Sequence, residues 1–167
     1  MSHAESLGKL SQRCGADALV VTEFRDNCRV QCAVAALLDV LRCLKDECGF
    51  DMLVDLTAVD YLEYPQARDR FGVIYAVTST TSKERLWVKV LLNEPDLELP
   101  SVVPLWQGAN WLEREVYDMF GIRFRGHPDL RRILLPDEFT AFPLRKDYPL
   151  QGRGERHNFH RLTREES

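Results

Sequence analysis

The most informative stretch runs from residue 111 to residue 150 and reads WLEREVYDMFGIRFRGHPDLRRILLPDEFTAFPLRKDYPL. Four apolar residues recur at helical spacing over its first ten positions, and they predict an amphipathic helix: Leu112, Val116, Met119 and Phe120. Arg114 and Asp118 stand four residues apart, so we expect them to pair on another face of this helix. Gly121 predicts the helix end, because glycine adopts the left-handed cap conformation at little cost.

The chain after this helix is rich in residues that interrupt regular structure. They are Gly126, Pro128, Pro136, Pro143 and Pro149. Prolines at this density permit neither a long helix nor a central strand. We therefore expect about 30 residues of extended, irregular backbone, a length that is uncommon inside a compact domain and usually serves docking or another function.

Arginine, aromatic and aliphatic side chains are mixed along this irregular segment, as they are at protein–protein interfaces. We expect partner contacts from Arg123, Phe124, Arg131, Arg132, Phe139, Phe142, Arg145, Lys146 and Tyr148. The arginines suit bidentate contacts to partner carboxylates, and the three phenylalanines are the expected apolar anchors. Charge reversal at Arg145 is expected to weaken assembly while leaving the isolated domain folded. The alternative is that these cations only make the segment soluble.

Three blocks of this stretch together form a family signature. They are residues 113–122 (EREVYDMFGI), 126–134 (GHPDLRRIL) and 143–150 (PLRKDYPL). They closely resemble the 30 kDa subunit of proton-pumping NADH:quinone oxidoreductase, respiratory complex I. The N-terminal two-thirds of the chain is compatible with that family in length and pattern but carries no signature.

The resemblance implies a function for the whole assembly and a role for this chain. Complex I passes electrons from NADH through FMN and iron–sulfur clusters to a quinone and couples this transfer to proton translocation. The chain is then expected to be a core subunit of the peripheral arm that scaffolds the 49 kDa-type subunit near the quinone end. The cofactors are expected in partner subunits, with no catalytic, cofactor or metal site here. The expected location is the cytoplasmic side of the bacterial inner membrane, or the matrix side in a mitochondrion.

Three other functions remain open at this point. The chain could be the homologous subunit of a membrane-bound hydrogenase or of a complex with another electron donor. It could be a stand-alone enzyme that uses His127, Asp129 and a cysteine. It could also bind nucleic acid, in which case its binding would weaken steeply with salt.

The charge distribution argues against nucleic acid. Residues 1–120 carry 12 Lys or Arg and 19 Asp or Glu, whereas residues 121–167 carry 10 and 7. A chain with a net charge of −4 is repelled by phosphate backbones at long range, so we expect no nucleic-acid binding. No apolar run approaches the ~20 residues of a membrane span, and the first residues lack the apolar core of a signal peptide.

The cysteines and the polar residues of the signature have mainly structural interpretations. The five cysteines lack the tight spacing of a zinc or iron–sulfur site, so we expect reduced thiols in the core: Cys14, Cys28, Cys32, Cys43 and Cys48. Glu113, Glu115 and Asp118 could act as acids or bases, but solvated or arginine-paired carboxylates are the simpler expectation. His127 is expected to hold a turn through backbone hydrogen bonds.

Hydrophobic periodicity predicts five strands and two helices before residue 121. The predicted strands are 17–24, 28–34, 51–62, 70–80 and 85–92, the first two as a hairpin and the last three as an antiparallel meander. The predicted helix 33–48 carries the stripe Val34, Leu37, Leu38, Leu41 and Leu44. On the third strand we expect Met52, Val54, Leu56 and Ala58 on the buried side.

These elements predict an α+β fold, a two-layer sandwich of a mainly antiparallel sheet with covering helices. Residues 93–100 are expected to form an exposed acidic loop, and Ser101 is expected to cap a turn of helix over 102–107. We divide the chain into a globular domain, 1–120, and an extended docking segment with its tail, 121–167. The tail from residue 151 is expected to order only against a partner.

Overall fold

The computed structural model describes residues 3–15, 18–25 and 27–158. It contains three α-helices: α1, His3–Cys14; α2, Leu37–Arg42; and α3, Ala109–Phe120. A 3-10 turn, Val34–Ala36, leads into α2, and a π-helical turn, Cys43–Glu47, continues it. The predicted helix 33–48 is therefore present, although its winding changes twice along its length.

The strands agree with the predicted fold class. They are β1, Leu19–Phe24; β2, Asn27–Cys32; β3, Met52–Asp60; β4, Phe71–Thr78; β5, Arg85–Leu92; β6, Glu98–Pro100; and β7, Arg123–Arg125. The first five form one sheet in the order β1-β2-β5-β4-β3. Both the hairpin and the meander are antiparallel as predicted, and the β2–β5 pair is the one parallel pair described within this sheet. The sheet is therefore mainly antiparallel.

The core lies between one face of this sheet and the helices. The buried residues of β5, Leu86, Val88, Val90 and Leu92, alternate with partly exposed ones, as a sheet covered on one face requires. The leucine stripe of α2 and of the π-helical turn that continues it enters the same core through Leu37, Leu41 and Leu44. The predicted stripe is confirmed, with Val34 and Leu38 partly buried at its margin.

The predicted buried side of β3 is right in its second half and wrong in its first. Leu56 and Ala58 are buried, but Met52 and Val54 are 49% and 53% exposed. A β-bulge between Leu53 and Asp55 inserts an extra residue, so the alternation changes phase there. Leu53 packs against the core in their place.

The acidic connection after β5 is only partly an exposed loop. Its last residues form β6, which pairs in parallel with β7, and this pairing buries Leu99 and Phe124. The chain immediately after α3 is thus tied into the body before the irregular segment begins.

The irregular segment, residues 126–154, has neither helix nor strand, as the prolines predicted. A single 3-10 turn, Glu155–Asn158, follows it. The rest of the predicted tail lies outside the described residues, as do Asp17 and Asp26 near the first hairpin. None of the described helices has both the length and the apolar character that crossing a bilayer requires.

Candidate partner interface

Asp118 attaches the first half of the irregular segment to α3. Its carboxylate accepts hydrogen bonds from Arg132 Nη1 at 2.6 Å and from the backbone N–H groups of Ile133, Leu134 and Leu135 at 3.1, 2.8 and 2.9 Å. The side chain is fully buried. Burial alone would raise the pKa of Asp118, but these donors outweigh it and the pKa is lowered. The residue is therefore an ionised anchor for the turn 132–135.

Arg132 completes this anchor and corrects the expected partner of Asp118. Its guanidinium lies 5.9 Å from the ring centroid of Phe139 and 5.4 Å from that of Phe142, and it donates to the Ala141 carbonyl. The predicted pairing of Arg114 with Asp118 is wrong, since Arg114 donates instead to the carbonyls of residues 131 and 132. Both arginines thus hold the segment from within the chain.

A second anchor joins the end of the segment to the sheet. Arg145 Nη1 lies 2.8 Å from Glu94, and Arg145 Nε donates to the Phe120 carbonyl at 2.6 Å. Glu94 also pairs with Arg70 at 2.7 Å, and Arg70 pairs with Asp147 at 2.8 Å. These charges come from positions far apart in the sequence, and together they fix residues 145–147 beside the start of β4.

The same anchor explains the glycine after α3. Gly121 has the left-handed φ of 77° that the sequence predicted for the helix end. A Cβ at this position would lie 2.6 Å from the ring of Phe142 and 2.9 Å from the Arg145 guanidinium. Gly121 therefore permits both the helix end and the close approach of the segment.

Glu113 of α3 and His127 form a buried polar pair, with Glu113 Oε2 and His127 Nε2 4.0 Å apart. Glu113 accepts from the Ser101 hydroxyl at 2.7 Å and from Val102 N–H at 2.6 Å. His127 Nδ1 accepts from Asp129 N–H at 3.0 Å, and its Nε2 lies 3.2 Å from the Asn110 carbonyl. The expected turn role of His127 is thus confirmed. Glu113 is buried and lacks an arginine partner among the described residues, contrary to the expectation for this carboxylate.

Burial gives Glu113 an unusual protonation equilibrium. Burial raises its pKa to about 7, against the opposing effect of its hydrogen bonds from Val102 and Ser101. Since the folded value lies above the unfolded value of about 4.3, the stability of the wild type should fall as the pH rises between them. The free energy of unfolding of Glu113→Gln, relative to that of the wild type, should therefore increase by on the order of 2 kcal/mol from pH 5 to pH 8.

Urea unfolding at a series of pH values measures this effect. Glu115→Gln is the matched control, because Glu115 is exposed on the same helix. Parallel pH curves for wild type and Glu113→Gln would show that the carboxyl ionises normally in the folded protein.

The cysteines are positioned as thiols of the core. Cys28, Cys32, Cys43 and Cys48 are buried, and Cys14 is partly exposed, with no disulfide among the five. Burial raises the pKa values of Cys32 and Cys43 to about 12, so both remain protonated at neutral pH. Protonated thiols are poor nucleophiles and poor metal ligands.

Comparison with known proteins identifies the family. Residues 30–154 match the family model described as respiratory-chain NADH dehydrogenase, 30 Kd subunit. The chain belongs to this 30 kDa subunit family. A member from Trichlorobacter lovleyi, named as a subunit of NADH-quinone oxidoreductase, is 49% identical over 146 residues, which cover 87% of this chain and 89% of the relative. The resemblance inferred from residues 111–150 is confirmed and extends well beyond that stretch.

Two solved structures share the fold. A trypsin-resistant fragment of Nqo5 matches with a TM-score of 0.68 and 36% identity, over 75% of this chain and 99% of the fragment. A chain of the archaeal membrane-bound sulfane sulfur reductase, a respiratory membrane complex, matches with a TM-score of 0.74 and 23% identity, over 96% of this chain and 93% of its own length. The second likeness concerns the fold alone.

The residues predicted to face a partner divide into two groups in this member of the 30 kDa family. Phe124 and Phe139 are buried, while Arg132, Phe142, Arg145 and Tyr148 are largely covered by the chain itself. Arg123, Arg131 and Lys146 are exposed, although Arg131 is paired with Asp129. A partner could therefore reach only part of the predicted set while the segment stays in place.

The structure also shows interface candidates that were absent from the predicted set. Leu134, Leu144 and Leu150 are 63%, 52% and 105% exposed, and Ile133 lies beside them in the chain at 36%. Leu134 and Leu144 project from backbone that the two anchors hold in place. The sequence did contain a signal for these residues. Solvated loops seldom contain so many large apolar residues as this proline-rich segment does.

Proposed function

We propose that this chain is a non-catalytic core subunit of the peripheral arm of an NADH:quinone oxidoreductase and that it scaffolds the 49 kDa-type subunit near the quinone end. FMN and iron–sulfur clusters of partner subunits carry the electrons from NADH to quinone. The chain lies on the cytoplasmic side of the inner membrane, or on the matrix side in a mitochondrion. Membership in the 30 kDa family and the relatives named as NADH-quinone oxidoreductase subunits support this assignment.

One observation carries the scaffolding role. Leu134 and Leu144 of the irregular segment are exposed, while Arg132 and Arg145 hold the segment against the body. An exposed loop gains nothing from large apolar side chains unless another surface covers them. Because the backbone of the segment is held in place in the free chain, the segment loses less conformational entropy when a partner covers Leu134 and Leu144.

The chemistry of the chain favours a positional role over a stand-alone enzyme. The His127 side chain is buried and both of its ring nitrogens are engaged by backbone groups. Asp129 is engaged by Arg131 through three hydrogen bonds of 2.7–2.9 Å. A general base needs a nitrogen or oxygen that can accept a proton from substrate, whereas His127 is buried and Asp129 is paired with Arg131.

The test is incorporation of variants into the native complex. Leu134→Glu and Leu144→Glu should each reduce the amount of 49 kDa-type subunit that co-purifies with the tagged chain by about tenfold or more, since a buried apolar anchor is worth about 2 kcal/mol at an interface. Both side chains are exposed in the free chain. The melting temperature of the isolated variants should therefore stay unchanged.

Leu134→Met is the matched control, because it preserves an apolar surface of similar size. It should assemble as the wild type does. Normal assembly of both glutamate variants would contradict the proposed scaffolding surface.

A second candidate is the equivalent subunit of a respiratory complex with another electron donor. The same fold occurs in a chain of the sulfane sulfur reductase complex. The composition of the purified assembly distinguishes the two proposals. Flavin absorbance with NADH dehydrogenase subunits supports the first, and a nickel hydrogenase subunit without flavin supports the second.

A further inference from the structure

The five-stranded sheet has one covered and one open face. Helices cover the face that contains Val30, Tyr75 and Val88, all fully buried. The strand register brings the opposite side chains into rows across the sheet. One row contains Thr22, Arg29, Trp87, Ala76 and Asp55, and the next contains Val20, Gln31, Lys89, Ile74 and Thr57. We call these two rows and their flanking strand residues the open face.

The centre of the open face is apolar and concave. A depression of about 410 Å³ is lined by Trp87, Ile74, Ala76 and Tyr61, together with polar and charged side chains that include Arg29 and Lys89. A second depression, of about 340 Å³, lies on the other side of Trp87 and is lined by Met52 and Val54. An open antiparallel face is normally polar, so a tryptophan between two apolar depressions indicates a surface that another molecule covers.

The charge of the open face is opposite to that of the body around it. Its strand residues include three cations, Arg29, Arg85 and Lys89, and one carboxylate, Asp55. Among the described residues, none of the three cations forms an ion pair with a carboxylate. Arg29 lies 5.1 Å from the Phe24 ring centroid and Lys89 lies 4.7 Å from that of Tyr61. These charges are available to an acidic partner.

We propose that the open face is the docking surface for an amphipathic helix of another subunit, with an apolar stripe against Trp87 and Ile74 and carboxylates against Arg29, Arg85 and Lys89. Helices on both faces of a sheet form one of the standard layer arrangements, and a docked helix would complete a layer on this side as the helices of the chain do on the other. Aromatic side chains in desolvated pockets and arginines are the usual energetic centres of interfaces.

Self-association through this face is disfavoured. A two-fold contact would bury the same patch of both copies, so each copy would bring its three cations and its one carboxylate into a single interface. Like charges at an interface cost several kcal/mol. The complementary surface therefore belongs to a different, acidic chain.

This inference rests on the proposed place of the chain in a multi-subunit complex, but it concerns a surface separate from the leucines of the irregular segment. A photo-crosslinking amino acid at Thr57, which is exposed on the open face, tests it within the assembled native complex. We expect crosslinks to one peptide of another subunit that has an apolar stripe at helical spacing flanked by aspartate or glutamate.

Charge reversal supplies the second arm of the experiment. Arg29→Glu with Lys89→Glu should lower the crosslink yield about tenfold, mainly by weakening electrostatic association. Arg42→Glu should leave the yield unchanged, because Arg42 is an exposed cation on α2, in the helical layer.

Several results would overturn the inference. A crosslink to a second copy of the chain, to lipid or to a basic peptide would do so. The absence of any crosslink in a complex that contains the chain would do so as well. In those cases the chain is still assembled, so the proposed function survives. A chain that never enters a complex would overturn both proposals.

Discussion

Replacement of Asp118 by alanine is expected to lower the free energy of unfolding by about 3–5 kcal/mol, because it leaves a largely buried guanidinium and three backbone N–H groups without their acceptor. The Arg132 side chain is only 12% exposed, so water can replace the lost carboxylate only if the segment moves away. Urea unfolding measures the loss, and hydrogen exchange at Ile133, Leu134 and Leu135 reports the release of the turn.

The matched control is Glu115→Ala, which removes an exposed carboxylate from the same helix and should change stability by no more than ~0.5 kcal/mol. The pH dependence provides a further check with Asp118→Asn. Since the folded pKa of Asp118 is lowered, its stabilisation is complete above the unfolded value of about 3.9 and is lost as the pH falls through the folded value. Wild type and Asp118→Asn should therefore converge in acid. A constant difference at all pH values would contradict the ionised anchor.

Arg145→Glu is expected to destabilise the chain itself by roughly 2–4 kcal/mol, because it breaks a charged hydrogen-bond set and places a second carboxylate beside Glu94. The Arg145 side chain is 16% exposed and its guanidinium lies 4.8 Å from the Phe142 ring centroid and 5.3 Å from that of Phe71. The structure thus changes the expectation that this reversal would leave the isolated domain folded as before. Thermal unfolding of the isolated variant measures the effect.

Lys146→Glu is the control for this variant, since it reverses the charge of the next residue. Lys146 is exposed, and its contact with the body is a hydrogen bond from its backbone N–H to Asp60 at 2.9 Å, which the substitution keeps. Its melting temperature should match that of the wild type. If both reversals destabilise the chain equally, the loss of stability comes from the change in net charge and not from the lost contact with Glu94.

The two anchors change how the basic residues of the segment are understood. An arginine beside aromatic residues in a proline-rich stretch has the same local sequence whether its partner lies in its own chain or in another. Arg145 and Glu94 are 51 residues apart, and Arg132 and Asp118 are 14 apart. Only the folded chain brings these charges together, so the sequence could indicate that the arginines make contacts but not with which surface.

Local pattern was sufficient for most of the fold. Alternation located β4 and β5, because each strand is covered on one face, and the leucine stripe located α2. The same pattern failed at the start of β3, since a bulge at Val54 moves side chains between faces without any change in residue type. It also could not show that β2 joins β5 in parallel, because that pairing links strands more than fifty residues apart.

By itself, the sequence determined the family, through residues 111–150, and the main helices and strands, through periodicity and glycine or proline punctuation. The tertiary structure alone decided which charges are internal, which leucines are presented, how Glu113 is buried and which face of the sheet stays open. The physical reason is that helices and strands respond to neighbouring residues, whereas burial and ion pairing depend on atoms that the chain brings together over long separations.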